Sequence, residues 1–197
     1  MDYYIPSRED ALILFKRYNK SDSLLRHALS VEGVMGHFAD KFNEERQPWE
    51  VIGLVHDLDY EMYPDAHCTK CREILMENNW PEAYIRAVVS HGWGICSEVE
   101  PKTRLEKTLY AVDELTGLVA SCALVRPSKS VLDLTAKSIK KKWKDKRFAA
   151  GVDRAIIDKG ADMLGMDRTE LITETISGMR SVAQAIGLKG TGQNLCP

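Results

Sequence analysis

Through most of this chain the apolar residues recur three or four positions apart, and runs that alternate apolar with polar residues are missing. Leu24, Ala28, Val31, Met35, Phe38 and Phe42 fall on one stripe, and so do Leu105, Leu109, Val112, Thr116, Val119 and Ala123. A repeat near 3.6 residues puts such positions on one helix face, whereas a half-buried strand needs a period of two. The pattern predicts an all-α fold built as a helical bundle. With 197 residues, 44% of them apolar and 28% charged, a single domain can bury a substantial core.

Local signals punctuate the helices. Ser7 with Asp10 makes a capping box that opens a first helix ending near Tyr18, and Asp22 suits the cap of a second. Pro48 fits the first turn of a short helix carrying Trp49, Val51, Ile52, Leu54 and Val55, which runs straight into His56 and Asp57. After the turn-like DYEMYPD, a helix is expected from near Asp65 to Trp80, followed by PEAYIRAVVSH, which stops at Gly92. These bounds put His67 in the first turn of one helix and His91 in the last turn of the next. Residues 92–102 read as a loop, and Thr103 with Glu106 forms a second capping box. Beyond Arg126 come the basic run KSIKKKWKDKR and two helical stretches, about 151–164 and 168–186, the latter capped by Asp167 and Glu170. The tail KGTGQNLCP is expected to be loose.

A net charge of −2 gives no global reason to expect nucleic acid or an anionic membrane as partner. The start MDYYIPSRED carries no positive leader with an apolar core, and no run approaches the roughly 18 apolar residues that span a bilayer. The expectation is a cytoplasmic protein without a membrane partner. Five cysteines, an odd number without an export signal, point to reduced thiols. Cys68 and Cys71 form one C-x-x-C, but without a second pair, and among helix formers, they support a structural zinc site poorly.

The chemistry starts at His56 and Asp57. Burying either group unpaired at the end of an apolar helix is expensive, so something must compensate. Neighbours on a helix point about 100° apart and cannot fill one core slot, yet they can converge on an ion off the helix end. Imidazole with carboxylate suits Mn, Fe, Co, Ni or Zn better than Ca. Ligands from other helices must complete such a shell.

In this respect the chain resembles the HD superfamily of metal-dependent phosphohydrolases, whose pattern is a His on one helix, a His-Asp pair on a second and an Asp on a later one. The matching residues are His27 in LLRHALSVE, His56 and Asp57 in LVHDLDYE, and Asp113 in YAVDELTG, so the resemblance covers about residues 20–125. It implies an HD core there, with additional C-terminal helices over about 126–190. It also implies a divalent ion, Mg included, at one or two per chain. In two-metal relatives extra histidines fall between the pair and the last aspartate, as His67 and His91 do here. Asp57 would then bridge, His27, His56 and Asp113 would hold the first ion, and His67 and His91 the second. The alternative is that both are polar helix-end residues, a histidine near a helix C-terminus being favourable with the dipole. His37 lies about 80° around the helix from His27 and reads as a surface residue.

The implied substrates are phosphate esters, most plausibly a nucleotide, cleaved by activated water. Asp57, Asp59 and Glu61 are the candidates for catalysis, the last two for orienting water or protonating the leaving group. HDLDYE stands where many relatives read His-Asp-Ile-Gly-Lys, so the lysine those relatives can aim at phosphate is missing, which weakens cyclic dinucleotide cleavage. Lys107, Arg126 and Lys129 are the candidate replacement cations for substrate binding. Three alternatives stand beside the hydrolase: a non-catalytic nucleotide-sensing module, a di-iron oxygenase, and an RNA-associated factor led by Lys140, Lys141, Lys142, Lys144, Lys146 and Arg147. An amphipathic helix with a solvated basic side fits that last run equally well.

Overall fold

The computed structural model describes residues 4–190. Among these are nine α-helices and no β-strand, only two isolated bridges. The helices are α1 (Arg8–Tyr18), α2 (Asp22–Phe42), α3 (Arg46–Val55), α4 (Thr69–Glu77), α5 (Glu82–Ser90), α6 (Arg104–Leu124), α7 (Ala136–Trp143), α8 (Arg154–Leu164) and α9 (Arg168–Ser181). The tail from 191 onward, with Cys196, lies outside the described residues.

The two long helices are the frame. α2 packs against α3, α6 and α9, and α6 carries α8 on another side, so the apolar stripes of both are buried from several directions. Small residues let the axes close up. A Cβ on Gly178 of α9 would lie 2.6 Å from Val34 Cα, and one on Gly160 of α8 would lie 2.5 Å from Ala111 Cα and Cβ. The extra C-terminal helices close back on the core: Arg180 donates to the carbonyl of Leu134, and the Val131 amide donates to that of Leu188.

Both capping boxes form, Ser7 with Asp10 and Thr103 with Glu106. Several other boundaries differ from the sequence expectation: α8 begins at Arg154 and not near 151, α9 ends at Ser181 and not near 186, and two more differences bear on the site. α2 is capped by Ser21 rather than Asp22, with no side-chain bond from the cap; the Glu61 carboxylate reaches across the turn and accepts from the amides of Lys20 and Ser21. The helix expected from Asp65 begins only at Thr69, because a single 3-10 turn, Pro64–Ala66, precedes it and Cys68 takes φ +66°. His67 is therefore held in the joint between the two and not in a helical turn.

No helix among the described residues is long and apolar enough to cross a membrane. The basic run forms α7, whose Ile139 is buried while Lys140 donates to Thr169 and Lys142 lies over the Phe148 ring. His37 is half-buried and bonds Glu174 of α9 at 2.6 Å, tying α2 to α9 well away from the other histidines.

Candidate metal centre

Four elements bring one face each to a common point. His27 projects from the second turn of α2, His56 and Asp57 from the end of α3, His91 from the end of α5, and Asp113 from the middle of α6. The joint before α4 adds His67.

His27 Nε2 lies 3.1 Å from His56 Nε2 and 3.0 Å from Asp113 Oδ1, and His56 Nε2 lies 3.3 Å from that same oxygen. His67 Nε2 and His91 Nε2 form a second pair, 3.1 Å apart. Asp57 sits between the pairs. Its Oδ2 is 3.4 Å from His56 and 3.6 Å from His27, while its Oδ1 is 3.4 Å from His67 and 3.5 Å from His91. Donors held at about 2.0–2.2 Å around one tetrahedral ion stand roughly 3.3–3.6 Å from one another, close to the spacing seen here.

The outward nitrogens explain why the inward ones face each other. His56 Nδ1 is 2.8 Å from the Gly53 carbonyl, and His91 Nδ1 is 2.5 Å from that of Val88. A carbonyl only accepts, so each Nδ1 carries the proton and leaves its Nε2 lone pair aimed inward. His67 Nδ1 is 2.7 Å from Asp59 Oδ1. Thr116 donates its hydroxyl to the Asp113 carbonyl, so its oxygen stays free to accept from His27 Nδ1, 3.4 Å away. Four imidazoles aimed inward with nitrogens 3.1 Å apart in each pair repel unless a cation or proton lies between them. These residues fit two divalent cations, and the two clusters, His27 with His56 and Asp57, and His67 with Cys68 and His91, are each capable of chelation.

Where a proton and not a cation lies between the nitrogens, His56 becomes an imidazolium paired with the two aspartates. Burial pushes Asp57 and Asp113 up, but the charge of His56 beside them holds both well below the carboxylate range. Burial pushes His56 down, and the two aspartates overcome it and hold it well above the usual value.

The centre opens into a cavity of about 340 Å³, within the range of small-molecule sites. Tyr60, Ile95, Cys96, Tyr110, Glu114 and Ile156 supply much of its wall. Among the described residues, no lysine or arginine lines it. Burial, then the neighbouring Asp113, pushes the Glu114 carboxyl up to about 7.

The structure brings His27, His56, Asp57, His67, His91 and Asp113 together, and it places the other candidates elsewhere. Asp59 is fully buried behind His67, with its second oxygen accepting from the Cys71 amide at 2.8 Å. Glu61 is spent on the start of α2. Lys107 is six residues before Asp113 on α6 and does not line the cavity. Arg126 pairs with Asp133 at 2.8 Å, and Lys129 is exposed in the same turn. Sequence reasoning missed Glu114 and Cys96. Glu114 directly follows Asp113 on α6, and its place beside a candidate ligand was the signal that could have found it; Cys96 lies in a loop without any period.

A tRNA (cytidine(56)-2'-O)-methyltransferase of Picrophilus torridus is 28% identical to this chain over 122 residues, which is 61% of this chain and 36% of that protein. The chain thus spans little more than a third of the length of that curated relative. No family model matches, and no solved structure does.

Proposed function

We propose that this protein is a metal-dependent phosphohydrolase of the HD type that works with two divalent ions on a small phosphorylated metabolite of the nucleotide class. The observation that carries the reading is Asp57, which turns one oxygen to each histidine pair. In this reading His27, His56 and Asp113 would hold the first ion, His67 and His91 the second, and Asp57 would be shared between them. The chemistry such ions supply when bound is acidification of water and neutralisation of charge on phosphoryl oxygens.

The chain's own residues do the rest. Because no lysine or arginine among the described residues lines the cavity, the charge of a phosphate would be met at the ion positions. Glu114, on the wall beside Asp113, would pass a proton to the leaving oxygen. Tyr60, exposed on the cavity wall, would offer an aromatic ring against which a base can rest. Asp59 fixes the His67 ring from behind, a positioning role and not a catalytic one.

Elemental analysis and a nucleotide panel test this reading together. The His56→Ala, Asp57→Ala double variant is expected to lose bound metal and phosphohydrolase activity; metal content and turnover both unchanged would sink it.

A second reading, an RNA phosphoester as substrate or ligand, draws on the relative that acts on tRNA and on α7. Gly151 lines both the cavity and an adjoining cleft that holds Lys146 and Arg154. Transfer RNA binding that weakens steeply with salt, and disappears on neutralising Lys140, Lys141 and Lys142, would favour it.

A further inference from the structure

We propose that the ion position framed by His67, His91 and Asp57 takes a thiolate from Cys68, making it a nitrogen, oxygen and sulfur site that selects zinc, iron(II) or cobalt(II) over magnesium and manganese. This rests on the two-ion reading above and names what distinguishes its second position.

Four observations converge on it. A ligand atom of Cys68 lies within 4.8 Å of ligand atoms of both His67 and His91, so the sulfur belongs to that cluster. Cys68 is almost fully buried and takes φ +66°, ψ −42°, a backbone conformation that side-chain-bearing residues avoid. Strain of that kind persists only where the surroundings impose it, and here the sulfur is turned under the histidine pair. The Cys96 sulfur, on the cavity wall, is 3.1 Å from that of Cys68, and both thiols are free. Gly92 makes room for the two of them: a Cβ there would stand 2.4 Å from Cys96 Sγ and 2.6 Å from Cys68 Sγ. Its φ lies outside the left-handed region, so space and not backbone freedom is what glycine supplies at that point.

The C-x-x-C pair therefore divides. Cys71 Sγ faces the carbonyls of Val55 and His56 at 3.7 and 3.8 Å, in the core and away from the cluster. Of that pair, Cys68 is the one that clusters with the histidines.

Softness decides the selectivity. Oxygen donors and water suit magnesium and manganese, whereas thiolate with imidazole suits zinc, iron(II) and cobalt(II). On binding, the Cys68 S–H bond breaks, the sulfur keeps the electron pair and donates it to the cation, and the proton leaves to solvent. Cys96, next to it, is placed to donate a hydrogen bond to the coordinated sulfur.

The test is cobalt(II) loading of the metal-stripped full chain under reductant, following near-ultraviolet thiolate-to-cobalt charge-transfer absorption together with cobalt per chain. Two cobalt ions and a charge-transfer band are expected. The band should vanish in Cys68→Ser with one cobalt retained, and survive in Cys96→Ser and in Cys122→Ser, a cysteine of α6 remote from the centre. Two cobalt ions without the band, or a band that survives Cys68→Ser, overturns the thiolate while leaving the two-ion reading intact. Failure to bind cobalt at all overturns both. Should Cys68→Ser fail to fold, zinc-edge X-ray absorption of the unmodified zinc-loaded protein decides instead. A sulfur scatterer at about 2.3 Å supports the proposal, and a shell of nitrogen and oxygen alone overturns it.

Discussion

Asp59 and Glu61 stand two residues apart in one turn, and the fold uses them for opposite purposes. Both oxygens of Asp59 accept, one from His67 Nδ1 and one from the Cys71 amide. Asp59→Asn must therefore turn its NH₂ toward one of two donors, leaving His67 or the Cys71 amide facing a like group. We expect metal affinity at the second position to fall on the order of 10–100-fold, with the first position unchanged, measured by chelator competition. Glu61→Ala removes a cap made across the turn. Its expected cost is about 0.5–2 kcal/mol by denaturant unfolding of the metal-free chain, with both metal affinities intact. A loss of metal in Glu61→Ala, or none in Asp59→Asn, would refute this division of labour. The sequence could nominate both carboxylates but not separate them, because DYEMYPD has no period to say which side chain points inward. His27, His56 and Asp113 were nominated by their match to the HD pattern, and the helices that carry them, whose buried sides the apolar spacing defines, bring the three side chains together.

At the level of elements, helix positions were legible wherever the signal was local. The two capping boxes close within three residues, and both formed as expected. The start of α2 depends on Glu61, about forty residues away along the chain, and the late start of α4 depends on the turn imposed at Cys68; neither is written in nearby composition. Which helices touch was equally hidden, since glycine in a helix is a weakness or a contact depending on its neighbour. Gly160 and Gly117 separate the two cases. At Gly160 a Cβ would meet Ala111 of α6 at 2.5 Å, so Gly160→Ala must part α6 from α8, at about 1–3 kcal/mol. At Gly117 the nearest atom is Val152 Cγ2 at 3.7 Å, so Gly117→Ala should be neutral or stabilise by up to about 1 kcal/mol. Unfolding midpoints of the two variants, taken at one pH and metal state, check the contrast; equal midpoints would contradict it.

For the molecule as a whole, the centre is also a staple. In the two-ion reading its ligands would come from α2, the ends of α3 and α5, the joint before α4, and α6, so ions bound there would add to the apolar packing and to polar ties such as that of Arg86 on α5 with Glu106 on α6. The same cluster without ions buries two carboxylates and four imidazoles at close range, an arrangement that repulsion and desolvation both oppose. Ions that bind the folded chain and not the unfolded one stabilise it by mass action, by about 2.7 kcal/mol at a hundredfold excess over the dissociation constant. For a chain of this length that corresponds to a rise of roughly 5–10 °C in melting temperature. Chelated protein should therefore melt lower and recover on adding zinc or manganese, while the His56→Ala, Asp57→Ala variant should show no shift with either. His37→Ala supplies the comparison. It cuts one of the two bonds from α2 to Glu174, leaving that of Lys41, and lowers the melting temperature of both forms, but because His37 is not part of the centre the interval between chelated and loaded protein should stay the same. A shrinking interval in His37→Ala would mean that the packing of α9 on α2, and not the ligand set alone, determines how tightly the ions are held.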